Sequence, residues 1–181
     1  MQIKESFYNW SSIASTILLK CFLADAILNQ SKIYQLDFIQ AFIQSDTKRR
    51  IFVILDKVYA TFCPKLKDHI GRPLRLKKCL YGADFSGKNW YETLDTFLTS
   101  NLKFQRSQVE GCLYIYWKER HWIKMINYVD NALYYASDNK TREVFELSLE
   151  NKFTNYICPQ QEGLPYRRYR TKGSKDLIWQ P

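Results

Sequence analysis

Lys124-Met125-Ile126-Asn127-Tyr128-Val129-Asp130-Asn131-Ala132-Leu133-Tyr134-Tyr135 is the stretch from which the fold is read. β-Branched and aromatic residues fill both halves, and Asp130-Asn131, two residue types at home in tight turns, divide them. The pattern predicts two antiparallel strands meeting at an Asp130-Asn131 bend, so that a carboxylate is carried at the end of a strand. A second carboxylate stands in the same situation in Ile33-Tyr34-Gln35-Leu36-Asp37-Phe38-Ile39-Gln40-Ala41-Phe42, where Ile33 to Asp37 reads as a short strand and Gln40 to Gln44 as a turn or helical piece. Two carboxylates brought together from strand ends can hold a divalent metal against a phosphate. The pair alone also admits the plainer reading, in which Asp37 ends a strand and Asp130-Asn131 only makes a turn.

Working outward, Ser11-Ser12 can cap a helix in which Ile13, Ile17, Cys21, Ala24 and Leu28 recur at helical spacing. Ile51-Phe52-Val53-Ile54-Leu55 reads as a buried strand, and Asp56 to Pro73, with Pro64 and Gly71 inside it, as a long connection. Leu80 to Gly87 is loop-like; Gly82 and Ser86 mark the entrance to a helix whose Trp90, Leu94, Phe97 and Leu98 share a face. Leu113 to Trp117 and Trp122 to Val129 look like strands joined by Lys118-Glu119-Arg120-His121, with Ala132 to Ala136 as a third. Asp138 can cap a last helix bearing Val144, Phe145, Leu149 and Phe153. This order predicts an α+β fold, an antiparallel sheet with helices packed on one face. From about Tyr156 the apolar periodicity stops and basic residues accumulate, as in Arg167-Arg168-Tyr169-Arg170, so residues 156–181 read as a loosely ordered tail.

With 181 residues and 46% apolar composition, the chain can bury one sizeable core. Its formal net charge of +9 favours a polyanionic partner, nucleic acid first. Arg72, Arg75, Lys77, Lys78, Tyr81 and Lys88 through Tyr91 mix cations with aromatics, a combination suited to phosphate contact and base stacking, or equally to a solvated face over an aromatic core. Five widely spaced cysteines without a C-x-x-C pair fit reduced thiols, hence a cytoplasmic or nuclear setting. Lys20 and Asp25 interrupt the most apolar helical stretch, so no membrane span is expected, and the N-terminus has no secretory pattern.

Four blocks, in order, then carry a resemblance. Gln35-Leu36-Asp37-Phe38-Ile39-Gln40-Ala41-Phe42 looks like Q-L-D-V-x-x-A-F. Leu74 to Gly82, continued by Ser86 and Trp90-Tyr91, looks like L-x-K-x-L-Y-G-L-x-x-S-x-x-x-W-Y. Phe104 to Tyr114 looks like G-F-x-x-S-x-x-D-x-C-L-Y, and Tyr128-Val129-Asp130-Asn131 looks like Tyr-Val-Asp-Asp. From about Ser6 to Phe153 the chain resembles the reverse transcriptases of copia-type LTR retrotransposons.

The resemblance implies a palm with part of the fingers over residues 1–155 and no thumb, in a fragment of a retrotransposon polyprotein. It implies an RNA-directed DNA polymerase that transfers nucleotides to a primer 3′-hydroxyl by a two-metal mechanism. Asp37 and Asp130 would ligate Mg²⁺, or Mn²⁺ in its place, and Asn131 occupies the catalytic position of the family's second Asp. Phe42 would be the steric gate against a ribose 2′-hydroxyl, with Tyr81 and Gly82 beside the nucleotide. The implied partners are an RNA/DNA primer-template, deoxynucleoside triphosphates and other parts of the polyprotein, with no membrane. Against the family pattern, Ala83-Asp84 is unusual in the second block, and three larger departures stand out: Asn131 itself, a stretch around Lys4 too short to supply the family's basic fingers hairpin, and the lack of a D-L-G-x-x-x-x-F-L-G stretch after Phe153. The rival reading is a non-catalytic nucleic-acid-binding remnant of such a polymerase.

Overall fold

The structure, a computed structural model, describes residues 14–159. Its centre is a six-stranded, wholly antiparallel sheet. The strands are β1 (Tyr34–Phe38), β4 (Gln105–Arg106), β5 (Leu113–Lys118), β6 (His121–Tyr128), β7 (Asn131–Ala136) and β8 (Asn155–Pro159), in the spatial order β4-β5-β6-β7-β1-β8. A two-stranded sheet of β2 (Phe52–Ile54) and β3 (Pro73–Arg75) stands apart from it. The helices are α1 (Thr16–Leu28), α2 (Ala41–Gln44), α3 (Val58–Phe62), α4 (Ser86–Thr96) and α5 (Asn139–Lys152).

Strand alternation divides the large sheet into two faces. Leu36, Phe38, Tyr114, Ile123, Met125, Ala132 and Tyr134 point to one side. There they pack with Trp90, Leu94, Phe97 and Leu98 from α4 and the turn after it, and with Phe145, Leu149 and Phe153 from α5 and its end. The opposite set, including Ile126, Leu133 and Tyr135, meets Phe22 and Ala26 of α1. Helices therefore cover both faces, not one as the element order suggested. The reason lies in β6 and β7, whose alternate residues are apolar on either side, so the second face also needs a cover.

α1 illustrates a limit of periodicity. The stripe Ile17, Cys21, Ala24, Leu28 faces solvent, with Ile17 76% and Leu28 83% exposed. Leu18, Leu19, Phe22 and Ala26 make the contact instead. The helix is apolar all round, so spacing alone cannot choose its buried side. Its N-cap is Ser15, whose Oγ accepts the Leu18 amide at 3.1 Å; the expected caps Ser11 and Ser12, and the stripe's first member Ile13, lie outside the described residues. Asp25 clamps the helix to the sheet, accepting from Lys124 Nζ at 2.5 Å and from the Tyr135 hydroxyl. The Lys124 contact, followed by Tyr135, holds its carboxyl below the ordinary range.

Two further expectations change. The segment 51–55 is not a buried strand: in β2, Phe52 and Ile54 are exposed, because its only strand partner among the described residues is the three-residue β3. The connection from Asp56 to Pro73 holds α3 and a 3₁₀ helix, Pro64–His69. At the other end, Tyr156 to Pro159 are not loose. They belong to β8 and pair with β1, Asp37 standing opposite Tyr156, so the expected boundary after residue 155 falls inside a strand. Residues 160–181, the rest of the expected tail, lie outside the described residues.

Candidate functional site

β1 lies between β7 and β8, and its register sets Asp37 directly opposite Asn131. The β6–β7 hairpin closes with Tyr128 paired to Asn131, so its two turn residues are Val129 and Asp130, one position earlier than the expected Asp130-Asn131. Asn131 is the first residue of β7. The positive-φ position is Val129, at φ 56°. A β-branched side chain rarely adopts that conformation, which costs on the order of 1–3 kcal/mol and persists only where surrounding contacts impose it.

Those contacts are backbone hydrogen bonds made by the turn's two carbonyls. The Val129 carbonyl accepts the Trp90 indole N–H at 2.7 Å, and the Asp130 carbonyl accepts the Phe38 amide at 2.8 Å. Trp90 is 1% exposed and packs edge-on against Phe38 and Phe153, with ring centroids 5.0 and 5.3 Å away. Trp90 and Tyr91, counted in the sequence among possible stacking aromatics, are thus buried, while Arg72, Arg75, Lys77, Lys78 and Lys88 around them are exposed.

Asp37 and Asp130 are both half-buried, and strand alternation puts Asp37 on the face opposite Leu36 and Phe38. Burial raises the Asp37 pKa above the ordinary carboxyl value, and the neighbouring charge of Asp130 raises it further. Among the described residues neither carboxylate has a cationic partner; the Asn131 side-chain amide donates to Asp130 Oδ1 at 3.1 Å. Two converging, uncompensated carboxylates suit a hard divalent cation, which accepts one or two protein oxygens and completes its shell with water and phosphate. The donor set stops there. No group of three or more His, Cys, Asp or Glu side chains gathers among the described residues, since position 131 contributes an amide.

Phe42 and Tyr81 lie near the same carboxylates. Phe42 in α2 and Tyr81 stack at a tilt with centroids 4.6 Å apart. The Tyr81 pKa is raised by burial first, then by the charge of Asp130 and, more weakly, of Asp37, while hydrogen bonds from the Phe42 and Ala41 backbone oppose the rise. One hydroxyl therefore senses both carboxylates. α2 is held by Gln44, whose Nε2 donates to the Ile39 and Thr154 carbonyls at 2.7 Å each and whose Oε1 accepts the Thr154 amide at 2.8 Å. Phe42 is half-buried against the core. Gly82 has φ +86° and open space where a Cβ would stand, so the conformation, not crowding, calls for glycine. Ser86 begins α4 and donates to the Leu80 carbonyl at 2.6 Å, which fixes the loop carrying Tyr81 and Gly82. The acidic departure Asp84 is paired with Arg49 at 3.5 Å.

Sequence reasoning missed two members of this arrangement. Trp90 was legible as an apolar helix position, an aromatic among cations and a member of the second block, but not as a donor to the turn, because a hydrogen bond to a distant carbonyl leaves no local trace. Val129 was passed over because residue preference assigns a left-handed position to Asp or Asn.

Residues 2–162 match a family model described as reverse transcriptase (RNA-dependent DNA polymerase). Over 144 residues, 78% of the chain, the sequence is 24% identical to the Transposon Ty1-DR1 Gag-Pol polyprotein of Saccharomyces cerevisiae. Over 138 residues, 75% of the chain, it is 24% identical to the Transposon Ty1-NL2 Gag-Pol polyprotein of the same yeast. Each match covers 7% of the relative, so the chain spans a small part of the curated polyproteins it resembles. No solved structure matches the chain. The family match takes in both carboxylate-bearing strands, the Phe42–Tyr81 pair and the hairpin, and the relatives are transposon polyproteins; the chain belongs to the reverse transcriptase (RNA-dependent DNA polymerase) family, in its copia-type retrotransposon branch.

Proposed function

We propose that this chain is the portion of an RNA-directed DNA polymerase at which a primer end and an incoming deoxynucleotide meet, with Asp37 and Asp130 holding Mg²⁺, or Mn²⁺ in its place. The observation that carries this reading is the pair of carboxylates, set at the β1–β7 junction with no cationic side chain paired to them among the described residues. A divalent cation bound there would activate the primer 3′-hydroxyl and neutralise phosphate charge. Asp37 and Asp130 orient it. Phe42, with Tyr81 against it, would floor the sugar and exclude a 2′-hydroxyl, and the Gly82 backbone would lie along the nucleotide. Two carboxylates meet the minimum for metal held also by substrate phosphates, but the amide at position 131 lowers the negative charge available for two-metal transfer. Asn131 is the residue that limits it.

An RNA/DNA primer-template is the partner that the net charge of +9 favours, together with deoxynucleoside triphosphates and other parts of a polyprotein like those of the relatives. A cytoplasmic or nuclear compartment suits reduced thiols, and Cys21, Cys63 and Cys79 are free. No helix among the described residues is long and apolar enough to cross a membrane. The amide donated by Asn131 to Asp130 favours one second reading, a nucleic-acid-binding relic whose metal site does not turn over.

The two readings separate on one substitution. Asn131→Asp is expected to raise Mg²⁺-dependent primer extension by at least about tenfold, roughly 1.4 kcal/mol of transition-state stabilisation, and to tighten Mg²⁺ binding, while Asp37→Asn abolishes both. If Asn131→Asp changes neither extension nor Mg²⁺ affinity in a folded chain that binds primer-template, the relic reading replaces this one.

A further inference from the structure

The strained residue of the hairpin and the most deeply buried tryptophan among the described residues meet at one hydrogen bond. Val129 holds φ 56° without glycine's freedom. Released from outside contacts, a valine would leave that conformation, and the turn would re-form with Asp130 aimed elsewhere. The Phe38 amide ties the Asp130 carbonyl to β1, one residue beyond Asp37. That bond fixes the far side of the turn only. The near side is fixed from beneath by the Trp90 indole N–H on the Val129 carbonyl. The indole itself has little freedom, since Phe38 and Phe153 press on it edge-on and α4 supplies its backbone. Phe38 thus touches both devices: its amide holds Asp130, and its ring holds the indole that holds Val129.

We infer that Trp90 is the positioning residue of this site, its indole N–H locking the Val129 carbonyl so that the hairpin keeps the Asp130 carboxylate beside Asp37. The inference rests on the reading of Asp37 and Asp130 as the cation-holding pair. It adds that the competence of this pair is set by a side chain that never touches the cation. The chemical requirement on position 90 is narrow: a flat, buried ring bearing a donor on one edge. Phenylalanine keeps most of the shape and loses the donor. Benzothienylalanine, with sulfur in place of the indole N–H, keeps nearly all of it.

The test uses the full chain, Mn²⁺ as probe, and five proteins: wild type, Trp90→Phe, Val129→Gly, the double variant, and Asp37→Asn. Mn²⁺ affinity is read by electron paramagnetic resonance, and amide exchange is followed by NMR. Trp90→Phe is expected to weaken Mn²⁺ binding about threefold or more, the range a lost hydrogen bond allows. It should also speed exchange of the Phe38 amide about tenfold relative to amides of the β5–β6 ladder. Glycine adopts the left-handed conformation without strain, so in the Val129→Gly background the same change at position 90 should alter Mn²⁺ affinity by less than about twofold. A tryptophan that only stabilises the core would slow or speed exchange uniformly, and Val129→Gly would not rescue its loss.

If Asp37→Asn weakens Mn²⁺ binding while Trp90→Phe does not, or if the Trp90→Phe loss persists in the Val129→Gly background, the positioning role is overturned and the cation-site reading survives. If Asp37→Asn leaves Mn²⁺ binding unchanged, the cation-site reading fails. The Phe38 amide then still decides whether Trp90 governs the turn, and unchanged exchange overturns the inference. Should Trp90→Phe not fold, Trp90→benzothienylalanine replaces it, with the same expected results.

Discussion

Two hairpins of the sheet share a backbone geometry and differ in what imposes it. The β5–β6 hairpin closes with Lys118 opposite His121 and turns through Glu119-Arg120; the β6–β7 hairpin closes with Tyr128 opposite Asn131 and turns through Val129-Asp130. The first turn residue has φ 56° in both. Glu119 and Arg120 are exposed, and their side chains make no hydrogen bond or ion pair among the described residues. Val129 is half-buried and β-branched, and its turn is gripped by Trp90 on one carbonyl and Phe38 on the other. The first turn is what two strands need to reverse direction. The second is overdetermined, and it is the one carrying a carboxylate to another carboxylate. Strain of this kind collects where geometry must be held for a purpose.

The largest expected effect contrasts the tryptophans near the two turns. Trp90→Ala should cost about 3–5 kcal/mol in urea unfolding, because it empties a buried site and frees the Val129 carbonyl. Trp117, 64% exposed on β5, should cost about 0.5 kcal/mol or less as Trp117→Ala. Similar losses at the two positions would break the comparison. A subtler version moves to the turns themselves. Val129→Gly should be more favourable to stability than Glu119→Gly by about 1 kcal/mol, since valine bears the larger left-handed penalty. The opposite order would mean that Val129 is not strained.

The smallest effect concerns charge at the two ends of β7. Near its start, Asp37 has a folded-state pKa raised by burial and then by Asp130, so the folded protein binds this proton more tightly than the unfolded chain. Stability then falls as pH rises from the unfolded carboxyl pKa of about 3.9 through the folded value, and Asp37→Asn should raise Tm at pH 7 but not at pH 3. Just past its end, Asp138 caps α5. Its hydrogen bond with His121, followed by the Thr141 amide and hydroxyl, holds its pKa well below the ordinary range. Its contribution is present above about pH 3.9 and is lost on acidification, so Asp138→Asn should lower Tm at pH 7 and progressively less below pH 4. Two melting curves per variant decide both signs. A destabilising Asp37→Asn at neutral, metal-free conditions would contradict the picture of an uncompensated acidic pair, because removing one of two neighbouring half-buried charges relieves repulsion.

Much of the scaffold was legible because its signals are local. Alternation in Leu113–Trp117 and Trp122–Val129, the shared face of Trp90, Leu94, Phe97 and Leu98, and the Asp138 cap each follow from neighbours along the chain, and each is found in the structure. Where two answers were locally equivalent, the reading slipped. α1 is apolar on every side, so its buried face, Phe22 and Ala26, is chosen by Ile126 and Tyr135 across the interface. β8 carries no strong strand pattern and exists because β1 offers it an open edge.

The sequence by itself determined the candidate residues. Asp37, Asp130, Phe42 and Tyr81 are singled out by their types and their blocks, and so is the amide at Asn131. Only the tertiary structure decided how they are held. It placed the turn at Val129-Asp130 and not Asp130-Asn131, and it put Asn131 in the ladder opposite Asp37. It also recruited Trp90, thirty-nine positions away along the chain, to fix the strained carbonyl. The physical reason is that the left-handed penalty on a β-branched residue, on the order of 1–3 kcal/mol, is matched by two hydrogen bonds to the turn's carbonyls, each worth about 0.5–1.5 kcal/mol and made by groups distant in sequence.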